Sequence, residues 1–346
     1  MLNSLFSGAL PRSRALSLLL LLVVAGLAAA PFITSGARPL NTAATICVYI
    51  VLVASYDLLL GYTGIVSFAH TMFFGIGAYG VGLGLSGDEP TWGGLALGLI
   101  AALALTLALA FVIGLFALRV RAIFYAMITL AVASSFAVLA SQLSDWTGGE
   151  DGKTFSVPEL LSPAAEYGKL TTYYIVFFGA LLLFLALLRV VNSPFGRVLQ
   201  AIRENEFRAE ALGYRTVAYR IAANCIAALA AALAGALMAL WLRYIGPKTT
   251  LGFEVMTDIL LIVVIGGMGT MYGAVLGAAL FILSNNYLKA LMAQAAGAVA
   301  GVPLLEAALH PDRWLLWLGI LFILAVYFFP AGIVGKLAPN PNRPRS

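Results

Sequence analysis

Few residues in this chain carry reactive side chains, and they are far apart. The two histidines, His70 and His310, do not have the spacing of a zinc site. The sequence contains no serine–histidine pair or HExxH motif of the kind that supports hydrolysis. Two cysteines, Cys47 and Cys225, each lie within a long apolar stretch, which is typical of small packing residues rather than of a disulfide. These patterns argue against catalysis and predict no bound metal.

Two glycine patterns resemble nucleotide-binding loops but have the wrong surroundings. Gly75, Gly77 and Gly80 spell GxGxxG inside an apolar segment, whereas a dinucleotide site needs this motif between a strand and a helix. We therefore expect the three glycines to allow close helix packing. Residues 152–154 resemble the end of a phosphate-binding loop, but the required first glycine is displaced by one position. The chain therefore has no credible ATP site.

Two carboxylates and one histidine fall within apolar segments. An ionised group such as Asp57 or Asp258 is costly in a bilayer unless it is paired or hydrated, and such residues often mark solute or ion pathways. Each also lies within about one turn of a predicted helix end, so contact with interfacial water is an equally good explanation. We expect His70 to bond the backbone or a neighbouring helix, and a role in a substrate pathway is the alternative.

Membrane helices must position these residues. The 346 residues are 62% hydrophobic and only 10% charged, and no soluble core could bury so much apolar surface. Continuous apolar runs of about 20 residues, enough to cross roughly 30 Å of hydrocarbon, recur along the chain. The predicted fold is all-α and polytopic, a single transmembrane domain over residues 1–346. The ten predicted spans are 15–33, 42–60, 65–85, 93–118, 122–140, 172–190, 217–242, 254–266, 270–288 and 313–329.

The basic residues predict the orientation. With the N-terminus in the cytoplasm, 13 of the 20 Lys and Arg residues fall inside and 7 fall outside. Both termini are then cytoplasmic, with an extracytoplasmic loop at 141–171 and a cytoplasmic loop at 192–216. The first helix could instead be a cleaved signal peptide, because two arginines precede an apolar run that ends in three alanines.

The eighth predicted helix is short and runs into glycines. It ends in Gly266, Gly267 and Gly269, and a new apolar run follows at once. A broken or re-entrant helix pair is predicted there. Unpaired backbone at membrane depth is tolerated only where it is buried in protein or lines a wet cavity.

One charged segment, residues 192–215, interrupts the apolar chain with seven charged side chains. Ser193 and the proline after it predict a helix start with a side-chain cap, and Gly213 predicts its end. Apolar residues at spacings of three, four and seven give one apolar face, and Glu204 should pair with Arg208. The helix either lies on the lipid surface or docks a cytosolic protein; its mixed charge favours a protein.

Five motifs together resemble one known family. They are GYTGIVSFAHTMFFGIGAYG at 61–80, TGGEDG at 147–152, SPFGRVLQAIRENEFRAEALG at 193–213, GGMGTMYGAVLGA at 266–278 and FFPAGIVG at 328–335. In this order they are similar to LivM-type permeases, the membrane subunits of ATP-driven importers for branched-chain amino acids. The resemblance implies the fold of type II ABC importer permeases, with a cytoplasmic loop between the sixth and seventh helices.

The resemblance also implies two sets of functional residues. In such importers the cytoplasmic loop contains a coupling helix that sits in a groove of the ATPase and carries its closure into the membrane. The implied coupling residues are Ser193, Arg203, Glu204, Asn205, Glu206, Arg208 and Gly213. The expected substrate pathway includes Asp57, Gly61, Tyr62, Gly64, Ser67, His70, Asp258, Gly266, Gly267 and Gly269. The chain departs from the family pattern at two positions. It has Asp57 where relatives often have asparagine, and Ile65 where many have glutamine.

The function implied is that of a permease subunit in a bacterial inner membrane, which translocates branched-chain or related amino acids. The implied partners are cytosolic ATP-binding subunits carrying ATP and Mg²⁺, a second LivH-type permease subunit, a periplasmic solute-binding protein and the lipid bilayer. Neither a cofactor on this chain nor nucleic acid is expected. Two alternatives remain open: an ABC permease for urea or short amides, and a stand-alone ion-coupled transporter that uses Asp57 or Asp258.

Overall fold

The computed structural model describes residues 13–33, 36–87, 90–117, 122–162, 167–298, 313–328 and 332–337, so His310 lies outside the described residues. The described chain is almost entirely helical and contains one pair of two-residue strands. The longer elements are α1 (Arg14–Ile33), α2 (Ala37–Thr63), α3 (His70–Gly84), α4 (Trp92–Ala117), α5 (Ala122–Gln142), β1 (Lys153–Thr154), α6 (Gly168–Asn192), α7 (Pro194–Glu204), α8 (Glu206–Ala211), α9 (Thr216–Leu242), β2 (Tyr244–Ile245), α10 (Phe253–Gly266), α11 (Met271–Ala298), α12 (Trp314–Phe328) and α13 (Gly332–Leu337).

Within the described residues, eight helical segments are long and apolar enough to cross a membrane. The two other predicted spans, 65–85 and 313–329, correspond to α3 and α12, which have 15 residues each. The predicted start of the third span at residue 65 was wrong. Gly64 has a left-handed φ of 73°, and the chain stays non-helical until His70.

The described chain divides into two compact units. The first spans Cys47–Leu260 and contains most of α2, all of α3 to α9 and the first half of α10. The second consists of residues 13–46 and the described residues after 260, and it contains α1, the end of α10 and α11 to α13.

In the first unit, α3 packs against α4 and α9 with almost no side chain between the backbones. A Cβ atom at Gly77 would overlap the backbone of Ala232 in α9, and one at Gly235 would overlap a backbone carbonyl of α3. Gly80 and Gly98 bring α3 and α4 equally close, since a Cβ on either would meet the carbonyl oxygen of the other. The GxGxxG pattern is therefore a helix-packing motif, as predicted.

The segment that follows α5 folds into a small cap at one end of the first unit. Strand β1 pairs antiparallel with β2, so that Lys153 lies opposite Ile245 and Thr154 opposite Tyr244. Strand β2 follows the end of α9, whereas the charged segment precedes its start. The cap and the charged segment therefore lie at opposite ends of a helix of 27 residues, about 40 Å long at 1.5 Å per residue. This geometry agrees with the predicted placement of the two loops on opposite sides of the bilayer.

In the second unit, a tight glycine-rich turn joins α10 to α11. Gly267 and Gly269 have φ values of 113° and 81°, which residues with a side chain rarely adopt. A Cβ at Gly266 would overlap the carbonyl oxygen of Gly273 in α11. The predicted break between the two helices is therefore present, as a close hairpin.

Two of the five motifs meet at this hairpin, because Gly332 of α13 lies directly against the backbone of Gly267. Farther along the same helices, Leu16 of α1 is buried together with Leu276 and Val334. Only Leu16 and Leu27 of α1 are buried, so the contact with the core of the second unit is confined to one side of this helix.

The packing of α3 generates a stability prediction. We expect Gly77→Ala to lower the apparent Tm of the detergent-solubilised chain by roughly 1–4 °C, because overpacking costs about 1–3 kcal/mol. The measurement is a thermal series read by size-exclusion chromatography. Gly26→Ala is the matched control, since a Cβ there meets no atom within 4 Å. Equal melting of the two variants would contradict the packing role.

Candidate functional site

The charged segment forms two helices, and the prediction of one helix from 193 to 213 was wrong. Helix α7 ends at Glu204, and Asn205 leaves helical geometry with φ −159° and ψ 101°. The Asn205 Oδ1 atom then accepts a hydrogen bond from the Arg208 amide at 2.9 Å, which caps α8. An asparagine is a usual cap residue, but the continuous apolar spacing around it suggested an unbroken helix.

Two side-chain predictions for this segment also fail. Ser193 precedes the first residue of α7 as expected, but its Oγ donates to the Val190 carbonyl at 2.6 Å and does not cap the helix. Glu204 and Arg208 lie on either side of the break, so they form no ion pair on a shared helix. The predicted end of the segment is confirmed, because Gly213 has a φ of 91° just after α8.

The apolar face of this segment is covered by the chain's own helices. Leu199, Ile202 and Ala209 are almost completely buried, and α7 packs on α6 and α9. A helix lying on lipid would leave this face open in an isolated chain, so the lipid-surface explanation loses its main support. Leu212, predicted on the same face, is 71% exposed and lies just past the last residue of α8.

Two polar contacts attach α8 to the start of α9. Arg220 donates through Nη1 and Nη2 to the two carboxylate oxygens of Glu206, at 2.7 and 3.0 Å. Such bidentate ion pairs fix the relative orientation of the two side chains as well as their distance. Thr216 Oγ1 donates to the Glu210 carboxylate at 2.8 Å. These contacts fix α8 against the first turns of α9.

Arg203 connects the segment to the end of α2. Its Nη1 donates to the carbonyl oxygen of Gly61, in the last turn of α2, where carbonyl groups lack helical partners and the helix dipole favours a cation. The Arg203 Cγ atom lies beside Gly64, so that a Cβ there would come within 3.2 Å of it. A residue assigned to coupling thus contacts two residues assigned to the substrate pathway.

The opposite face of the charged segment is open. Glu204 and Arg208 are exposed, and the ring of Phe207 between them is 85% exposed. Aromatic side chains are enriched at the centre of protein interfaces, which polar residues surround. Phe207 was missed in the sequence analysis, although an aromatic residue on an otherwise polar face was an available signal.

The break before α3 gathers several predicted pathway residues. Ser67, His70 and Asp57 are all buried. His70 Nε2 lies 2.8 Å from Ser55 Oγ in α2, which confirms the expected bond to a neighbouring helix. The imidazole also meets the Tyr56 ring edge-on, with 5.3 Å between centroids. Asp57 is only 2% exposed and lies more than one turn inside α2, so the interfacial explanation was wrong for this residue.

Polar side chains from α5 and α9 extend this buried region, and the sequence analysis did not select them. Thr129 Oγ1 accepts a hydrogen bond from the Phe68 amide at 3.1 Å, within the break. One turn away, Tyr125 donates to Asn224 Oδ1 at 3.4 Å. Asn224 in turn donates to the Ala110 carbonyl of α4 at 2.8 Å. Isolated polar residues inside apolar spans were the signal that could have identified them.

The remaining pathway candidates are placed differently. Tyr62 is buried in the last turn of α2. Asp258 is half-buried in α10, and among the described residues it makes no hydrogen bond to the region around His70. Gly266, Gly267 and Gly269 belong to the second unit, where they form the hairpin turn.

Comparison with known proteins gives consistent matches. The family model for the permease component of the branched-chain amino acid transport system matches residues 38–326. The chain is 29% identical over 306 residues to the high-affinity branched-chain amino acid transport system permease protein LivM of Salmonella typhimurium, covering 79% of this chain and 68% of that protein. The Escherichia coli protein of that name is 30% identical over 306 residues, with the same coverage.

An archaeal relative aligns over more of its own length. The probable branched-chain amino acid transport permease protein LivM of Methanocaldococcus jannaschii is 27% identical over 319 residues, covering 83% of this chain and 90% of that protein. No solved structure gives a significant match.

The attachment of α8 to α9 generates a second prediction. We expect Glu206→Gln to speed amide hydrogen exchange across residues 206–211 roughly fivefold, since a partly exposed ion pair contributes about 1 kcal/mol. Exchange followed by mass spectrometry provides the measurement. Glu204→Gln, which removes a charge outside the ion pair, should leave the rate unchanged. If both variants exchange alike, the Glu206–Arg220 contact does not hold the helix.

Proposed function

This chain belongs to the family of branched-chain amino acid transport permease components, and we propose that it is the membrane-spanning subunit of an ATP-driven importer for branched-chain amino acids. It is a multi-pass inner-membrane protein, in keeping with its eight candidate spans. The observation that carries the proposal is the contact of Arg203 with Gly61 and Gly64, because it joins the charged segment to the break before α3.

The open face of α7 and α8 is the proposed docking surface for cytosolic ATP-binding subunits. Its exposed Phe207 offers an apolar anchor, and Glu204 and Arg208 offer charges of both signs. Buried aromatic anchors dominate the energetics of protein interfaces. On this proposal ATP and Mg²⁺ bind to the partner subunits and not to this chain, and both termini lie on the cytoplasmic side with the charged segment.

Two contacts would carry closure of the ATP-binding subunits into the membrane. Through Glu206 and Arg220, movement of α8 shifts the start of α9. Through Arg203, movement of α7 pulls on Gly61 at the end of α2, three residues before the break begins at Gly64. Packed helices with small interfacial residues have few alternative arrangements, so a small displacement changes access in steps rather than continuously.

The solute is delivered from the opposite side in this proposal. A periplasmic binding protein would present the amino acid to the end of the first unit at which the β1–β2 cap lies. A second permease subunit, of the LivH type, would complete the pathway. Selectivity supplied by the binding protein removes the need for tight binding within the membrane, and the buried polar groups at Ser67 and His70 would line the route.

The test is reconstitution of the chain with its ATP-binding and second permease subunits in proteoliposomes that receive binding protein and labelled leucine. Uptake should require ATP and should persist when the proton and sodium gradients are collapsed. Competition by unlabelled valine or isoleucine is expected. Uptake that is inhibited by urea or acetamide instead would contradict the substrate assignment, and uptake that follows an ion gradient would contradict the ATP-driven mechanism.

Removal of the Arg203 contact should separate ATP hydrolysis from transport. We expect Arg203→Ala to reduce leucine molecules moved per ATP roughly tenfold while ATP hydrolysis continues, because a hydrogen bond to a charged group is worth about 1.5–3 kcal/mol. Arg197→Ala, at an exposed arginine of the same helix, is the matched control and should keep the ratio. An unchanged ratio in Arg203→Ala would remove this contact from the mechanism.

Loss of the Phe207 anchor should prevent assembly. We expect Phe207→Arg to abolish co-purification with the ATP-binding subunit, because a charge replaces the apolar contact that fills its groove. Leu160→Arg places the same charge at a residue that is 65% exposed at the opposite end of the unit, and it should assemble normally. Full assembly of Phe207→Arg would show that the partner docks elsewhere.

A further inference from the structure

An open cavity of about 390 Å³ lies in the first unit, between α5 and the segment that leads from β2 into α10. This volume falls near the lower end of the range of about 300–1,000 Å³ found for small-molecule sites. Most of its wall is apolar, with Leu130 and Ala133 contributed by α5 and Leu251 and Met256 by the opposite side. Such a wall suits a small aliphatic group.

Two side chains of opposite charge also line this mostly apolar cavity. Glu150 belongs to the cap that follows α5, and Lys248 lies three residues after β2. Both line the cavity and both are exposed. They do not form an ion pair with each other, so each charge remains available to a ligand. One carboxylate and one ammonium group that line the same cavity complement a zwitterion better than they complement either ion alone.

The same cavity reaches the break before α3. Phe68 and Thr71 line it there, on either side of the Ala69–His70 step. Phe68 is also the residue whose amide is held by Thr129 of α5, and its ring stacks on Phe253 at a centroid distance of 6.3 Å. The cavity therefore extends from the charged cap to Phe68 and Thr71, the sequence neighbours of the buried Ser67 and His70.

We propose that this cavity binds a free α-amino acid with an aliphatic side chain, with the amino acid's ammonium group at Glu150 and its carboxylate at Lys248. The aliphatic side chain lies along the wall formed by Leu130, Ala133, Leu251 and Met256. The inference rests on the proposed import of branched-chain amino acids and deepens it, because it names where the solute binds before it reaches Ser67 and His70.

The experiment measures equilibrium binding of labelled L-leucine to the full chain in phosphatidylglycerol nanodiscs, without ATP. We expect Glu150→Gln and Lys248→Met each to weaken leucine binding about tenfold, as expected for loss of one charge-assisted hydrogen bond. Glu159→Gln and Lys169→Met are the matched controls. These substitutions remove exposed charges at the same end of the first unit, at residues that do not line the cavity. Both control variants should bind leucine as the unaltered chain does.

Two leucine analogues assign each charge to its partner. 4-Methylpentanoate lacks the ammonium group, so its binding should be insensitive to Glu150→Gln but weakened by Lys248→Met. 3-Methylbutylamine lacks the carboxylate and should show the reverse. The same sensitivity of both analogues to both variants would overturn the proposed orientation, and leucine binding that is unchanged in both variants would overturn the site.

A phospholipid headgroup is the competing source of the same zwitterionic chemistry. In nanodiscs that contain phosphatidylethanolamine, leucine should still bind. Binding of phosphatidylethanolamine that depends on Glu150 and Lys248, together with no leucine binding in either nanodisc, would assign the cavity to lipid and overturn the proposal.

Transport measurements separate failure of the site from failure of the proposed function. ATP-driven leucine uptake that is normal in Glu150→Gln and Lys248→Met would overturn the site and leave the importer function standing. Charge-dependent leucine binding in a complex that transports no amino acid would support the site and contradict the importer function.

Discussion

Close backbone contact around α3 is the constraint on which both functional regions depend. Apolar helices gain little in a membrane from burying apolar surface against one another, so their association relies on tight contact between small residues. Gly77 and Gly80 allow α9 and α4 to approach α3 until only backbone lies between them. Because α9 has the charged segment at one end and the β1–β2 cap at the other, this contact positions both ends of the unit.

The break before α3 shows how irregular backbone is accommodated in such a chain. Unpaired amides are costly where water is absent. The Ile65 amide donates to the Leu59 carbonyl at 3.1 Å, and the Phe68 amide donates to Thr129. Specific partners therefore replace the hydrogen bonds that a continuous helix would provide. The result is a stretch of polar backbone and side chains beside Phe68 and Thr71, which line the cavity.

The residues that the family resemblance assigns to coupling divide into two groups by their contacts. Asn205 caps α8, while Glu206 and Arg203 bind other parts of the same chain. Glu204 and Arg208 face outward beside Phe207. The sequence motif therefore combines groups that hold the segment to the membrane helices with groups that remain open to a partner.

The sequence by itself determined the membrane class, most helices, the charged segment and the packing role of the glycines, because hydrophobicity and small-residue spacing are local properties. It misplaced the helix start at residue 65 and missed the break at Asn205, where a local cap competes with a continuous apolar period. Only the tertiary structure decided that Arg203 meets Gly61 and that Glu150 and Lys248 share one cavity. Each of these pairs is about a hundred residues or more apart in the chain, and no local pattern records which distant segments the packing of helices brings together.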